Sequence, residues 1–116
     1  MTEANFIQAL KDAGICSAKI YPVKARDNDQ FPYCVYTIIR NALSQKLERS
    51  KDKRNRYVFT SWHTSYQEAV DTLELFDETI GTQQLGYSVS GAIIDRDPDK
   101  PDIWRLTNND WSIIEI

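Results

Sequence analysis

Apolar positions near the start of the chain recur with helical spacing. Phe6, Ile7, Leu10 and Ala13 share one face over residues 2–13, Thr2 is placed to cap the start, and Gly14 suits the position that ends a helix. Residues 18–23 read as a short extended piece ending near Pro22, and 24–30 as a polar loop. Phe31-Pro32 then opens a run over 33–40 with β-branched and aromatic residues on both faces, which predicts a central, buried strand. Extended segments at 43–48 and 57–63 flank the charged stretch 49–56, so this region predicts a long hairpin with a basic tip.

The clearest helix covers 65–80. Ser65 and Glu68 form a capping box, Gly81 offers a stop, and Tyr66, Ala69, Val70, Leu73, Phe76 and Ile80 make its apolar face. Beyond it, 88–95 and 103–107 read as strands around a Pro- and Asp-rich turn at 96–102, and 111–116 as a last strand. The element order α, β, β, β, β, α, β, β, β predicts an α+β fold, an antiparallel β-sheet with two α-helices packed on one face. At 116 residues the chain has the length of a single domain, 1–116.

Composition narrows the class. With 41% hydrophobic and 27% charged residues the chain reads as an ordinary folded domain. No apolar run approaches the roughly 20 residues that span a bilayer, and the polar start does not read as a signal peptide, so no membrane partner and synthesis in the cytosol are expected. The net charge of −3 conceals a division. Residues 1–58 hold eleven Lys/Arg against six Asp/Glu, and residues 59–116 hold three against eleven, giving +5 and −8. A chain so divided can present opposite faces to different partners or to copies of itself.

Candidate chemistry is sparse. Four glycines, Gly14, Gly81, Gly86 and Gly91, are too scattered for a phosphate-cradling loop, so no nucleotide cofactor is expected. Cys16 and Cys34 do not make a CxxC pair and read as small buried hydrophobes. His63 is the single histidine; it lies near Ser61 and Ser65, but no acidic partner is identifiable from spacing, and a polar residue at a strand end is the simpler reading. Asp95, Asp97, Asp99 and Asp102 alternate somewhat like calcium ligands, yet lack the glycine and terminal glutamate of an EF-hand loop, so a solvated turn is favoured over a metal site. No catalytic residue is assigned.

Two charged surfaces remain. Lys46, Arg49, Lys51, Lys53, Arg54 and Arg56 cluster around the hairpin tip, dense enough to follow a phosphate backbone but with no interleaved aromatics to stack on bases. Glu68, Asp71, Glu74, Asp77 and Glu78 lie on the second helix, which has no basic residue. Asp77 and Glu78 sit in its last turn, where negative charge opposes the helix dipole.

Three segments resemble one family. Phe31-Pro32-Tyr33-Cys34-Val35-Tyr36 is similar to the opening of its first long strand. Tyr57-Val58-Phe59-Thr60-Ser61-Trp62 followed by Ser65-Tyr66 and Ala69 resembles its strand-then-helix unit, and Trp104-Arg105 with Asp110-Trp111-Ser112-Ile113 its closing strands. In order and spacing these resemble the tail-terminator, or tail-completion, proteins of long-tailed bacteriophages and prophages. Cys34 replaces a more usual aliphatic residue, and the Asp-rich turn has no counterpart.

The resemblance implies a non-enzymatic virion protein that forms a homo-oligomeric ring, a hexamer in the family. The ring would cap the head-proximal end of the tail tube, end its polymerisation and offer a surface for head–tail joining. Implied partners are copies of itself, the tail tube protein, a head-completion or stopper protein, and DNA passing non-specifically through the lumen; the implied location is the virion tail, with assembly in the host cytoplasm. The basic cluster is then a candidate contact with a neighbouring subunit, the tube or lumenal DNA, and the acidic helix a candidate assembly face. Alternatives are another head–tail connector, such as a stopper or head-completion protein, a small nucleic-acid-binding module using 46–56, and a hydrolase built on His63.

Overall fold

The computed structural model describes residues 3–23, 30–39, 53–82 and 85–115. Along the chain these form α1 (Glu3–Asp12), a short 3₁₀ turn (Ile15–Ala18), β1 (Ile20–Pro22), β2 (Tyr33–Ile39), β3 (Lys53–His63), α2 (Tyr66–Thr82), β4 (Gly86–Ser90), β5 (Ile93–Arg96) and β6 (Trp104–Glu115). The expected strand at 43–48 falls outside the described residues.

The architecture is α+β, as the periodicities predict. Among the described residues six strands make one sheet in the order β1-β2-β3-β6-β4, with β5 also paired to β6. All pairings are antiparallel except that of the three-residue β1, which runs parallel to β2. On β3 the odd-numbered residues from Asn55 to His63 are buried and the even-numbered ones from Arg56 to Trp62 are half-buried, the alternation of a sheet with one covered face.

Both helices cover that face. Phe6 of α1 meets Tyr57 edge-on at 4.7 Å, and Phe76 of α2 meets Phe59 at 4.9 Å. Phe6, Leu10, Ile15, Ile20, Cys34, Phe59, Phe76 and Ile80 belong to one continuous core. Each fully buried large apolar side chain contributes about 2–3 kcal/mol to holding the layers together.

Several boundaries differ from the periodicity-based reading. β3 starts at Lys53, not 57, so the cations at 53–56 belong to a strand: Lys53 and Arg54 pair with β6, and Arg56 lies opposite both Ile39 of β2 and Ser112 of β6. The expected strand 88–95 is two strands, β4 and β5, interrupted at Gly91-Ala92. The expected pair 103–107 and 111–116 is the single strand β6. Asn108-Asn109-Asp110 has turn-forming composition, but a β-bulge opposite Phe59–Ser61 absorbs the irregularity. Asn109 Oδ1 accepts from Trp111 Nε1 two residues along the same strand at 2.6 Å, and Asp110 pairs with Arg56 of β3.

In α2, Ser65 Oγ accepts the Glu68 amide hydrogen at 3.1 Å, as an N-cap should, but the helix continues through Gly81 to Thr82. Its buried side is Ala69, Thr72, Phe76, Thr79 and Ile80. Val70 and Leu73 are half-buried, and Tyr66, expected inside, is exposed and packs on Trp104.

Two glycines have opposite environments. A Cβ at Gly86 would overlap the Ser112 backbone carbonyl across the β4–β6 ladder, whereas one at Gly81 meets nothing within 4 Å. Gly86→Ala is therefore expected to cost about 2 kcal/mol or more, as overpacking against rigid backbone does. Gly81→Ala, inside a helix, should add about 0.5–1 kcal/mol. Urea denaturation of the two variants checks both signs.

Candidate functional site

The strand-to-helix junction after β3 contains the one linked set of nucleophile, imidazole and carboxylate among the described residues. His63 Nε2 lies 2.7 Å from Ser61 Oγ, and His63 Nδ1 lies 3.2 Å from Glu68 Oε1. Spacing gave no acid for His63; the helix supplies it, because the capping position of Glu68 turns its carboxylate back over the strand end. Thr64 Oγ1 also donates to Glu68, at 3.3 Å. The order Ser–His–Glu matches that of hydrolytic triads, with Nδ1 facing the acid.

Burial decides what this set can do. Ser61 is 1% exposed and His63 0%, so a substrate carbonyl has no approach to the hydroxyl. The cluster acts as a polar clasp that fixes the start of α2 on the sheet. Burial pushes the His63 pKa below its ordinary value, and the neighbouring Glu68 only partly opposes this.

The acidic turn is folded on itself. Asp95 holds Arg105 through two hydrogen bonds of 3.2 and 3.3 Å, Asp97 Oδ1 accepts the Asp99 amide hydrogen at 2.8 Å, and Arg96 donates to the Pro101 carbonyl. Among the described residues no three His, Cys, Asp or Glu side chains group as metal ligands. Instead the turn anchors neighbouring aromatics: Arg96 lies 4.8 Å above Trp104, and Lys100 5.2 Å above Phe31. Phe31 stacks on Tyr33, which packs against Trp62, so the turn closes one end of the sheet.

The two charged surfaces are partly redistributed. Lys46, Arg49 and Lys51 lie outside the described residues, and Lys53 and Arg54 form the start of β3. Arg56 is not a free tip residue. It donates to both carboxylate oxygens of Asp110, a residue only 6% exposed, and this partner raises the guanidinium pKa. Its charge is paired within the chain.

Glu68 likewise belongs to the His63 clasp. The rest of the acidic face is presented outward: Asp71, Glu74, Asp77 and Glu78 are exposed, and among the described residues none has an ion-pair partner. Asp71 accepts a hydrogen bond from Gln67 on its own helix. Glu78 also borders a hollow between the ends of α1 and α2, lined by Ala13, Leu75, Thr79 and Thr82. No helix among the described residues is long and apolar enough to cross a membrane. No family model and no curated protein sequence matches the chain.

The clasp has a pH signature. A lowered folded-state pKa means the unfolded chain binds a proton first as pH falls, so the stabilisation is complete above about pH 6.5 and is lost toward the lower folded-state pKa. The thermal midpoint should fall as pH drops below about 6.5, and His63→Gln should flatten that segment of the curve. His63→Ala, which strands Ser61 and Glu68 and leaves a void, should cost about 2–3 kcal/mol at neutral pH by urea denaturation.

Proposed function

We propose that the chain is a structural subunit of a long-tailed phage or prophage tail, of the tail-terminator or tail-completion kind. It assembles into a ring at the head-proximal end of the tail tube, where it ends polymerisation and presents a surface for head–tail joining. One observation carries the reading: α2 holds Asp71, Glu74, Asp77 and Glu78 outward with no basic residue on the helix, while the same chain carries Lys46, Arg49 and Lys51 in a separate stretch.

A cyclic ring requires two different patches on each subunit, one meeting the other on the next copy. Opposite charge is well suited to this, since it guides encounter and register more than it adds affinity. The inaccessible Ser61–His63–Glu68 set supports an assembly role over a hydrolytic one, because its groups are committed to holding α2. The intramolecular pairing of Arg56 narrows the basic patch to its neighbours.

The reading has a direct solution test. Light scattering on the purified chain should give an oligomer at low ionic strength that dissociates as salt screens the contact over about 10 Å at 0.1 M. Asp77→Lys with Glu78→Lys should weaken assembly by roughly tenfold, and Arg49→Glu with Lys51→Glu in the same chain should restore part of it. Assembly indifferent to salt and to both reversals contradicts the charge-guided contact. A chain that stays monomeric and does not bind tube ends contradicts the ring.

A further inference from the structure

β2 carries apolar side chains on both of its faces, and the fold covers only one of them. Cys34 and Tyr36 are buried in the core beneath the helices. Tyr33, Val35, Thr37 and Ile39 alternate with them on the outer face, and the register continues their row onto β3: Tyr33 lies opposite Trp62, Val35 opposite Thr60 and Thr37 opposite Val58. Tyr87 of β4 joins this face through Ser112, which lies opposite Arg56. Ile93 joins it two residues before Asp95, whose partner Arg105 lies opposite Trp62. Both helices pack on the inner side, so among the described residues no helix covers the outer one. An antiparallel sheet with a solvated face usually places polar residues there. Here Ile39 is 42% exposed, Tyr87 48% and Ile93 51%.

Charge on this face is settled internally. Arg56 pairs with Asp110 and Arg105 with Asp95, so the middle of the face presents no net charge. The exposed acids Asp71, Glu74, Asp77 and Glu78 all lie on α2, in the other layer. Two copies meeting through their outer faces therefore bring no like charges together there and hold their acidic helices on opposite outer sides. The rest of the chain is poor in apolar side chains that could cover the face instead: residues 40–52 contain only Ala42, Leu43 and Leu47, and residues 24–29 only Ala25. Area is also sufficient. Four strand positions about 4.8 Å apart and a longest inner strand of eleven residues, each rising about 3.3 Å, frame roughly 600 Å² per copy. Two such faces bury roughly 1,200 Å², the lower end of the range for stable, specific interfaces.

We propose that the outer face of the sheet is a self-association surface, on which a second copy of this chain packs with its own outer face. The contact is isologous, sheet on sheet, with the twisted faces aligned as in a β-sandwich. Its centre is the Val35, Thr37 and Val58 patch, with Ile39, Tyr87 and Ile93 around it. Burial of apolar area drives it, so it outlasts salt that screens charged contacts.

The pair is separate from the charge-guided ring contact, since it uses the face of the sheet turned away from α2. Light scattering and sedimentation on the full chain in about 1 M salt, where charges are screened beyond about 3 Å, isolate it. The expected result is twice the chain mass. Thr37→Lys and Ile93→Lys, both at exposed side chains, should each weaken the pair at least tenfold, with far-UV circular dichroism and the thermal midpoint of the monomer showing that the fold is kept. Asp77→Lys with Glu78→Lys should leave it intact. A chain that is monomeric in 1 M salt overturns the pair, even where rings form at low salt and the ring reading stands. A dimer untouched by both Thr37→Lys and Ile93→Lys, or one lost on reversing the α2 acids, places the contact elsewhere and overturns it too.

Discussion

Everything else in this fold depends on the aromatic contact at the middle of β3. Phe59 touches Phe6 of α1, Tyr36 of β2 and Phe76 of α2. One strand face thus receives both helices, and removing the central ring would uncouple three elements at once. Large buried aromatics supply area and directional ring packing together, so the contact sets the helix positions as well as holding them. Because β3 lies between β2 and β6, its register also fixes which residues of those strands face inward.

The charge distribution follows from that register. A strand with one covered face leaves its alternate residues on the other, and Arg56 reaches Asp110 there instead of solvent. Glu68, placed by the N-terminus of α2, is drawn to His63. The packed layers therefore neutralise part of each charged cluster and leave Asp71, Glu74, Asp77 and Glu78 pointing outward. That residue is a surface property shaped by folding, which net charge alone does not reveal.

The helices, β2 and the two-layer α+β arrangement were legible in the sequence because their buried positions recur at periods of about 3.6 and 2 and their starts carry capping chemistry. The continuity of β6 was not. Asn109 and Asp110 look like turn residues until the bulge opposite β3 and the Arg56 partner of Asp110 are known, and both of these come from tertiary structure. Local preference also misplaced the end of α2, since Gly81 is tolerated within the helix at a modest cost. Of the candidate site residues, the exposed acids on α2 were readable from composition. The tie of Arg56 to Asp110 depends on how strands distant in sequence meet, and that of Glu68 to His63, five residues apart, on how the chain turns from β3 into α2; no spacing rule encodes either.

These features describe a domain whose polar chemistry is largely committed to holding its own layers, with the acidic side chains of one helix face left exposed. In the proposed account that face meets the next copy in a ring at the tube end. Electron microscopy of phage tails assembled without this protein tests the claim most directly. The account predicts overlong, uncapped tubes that fail to join heads; capped tubes of normal length would contradict it.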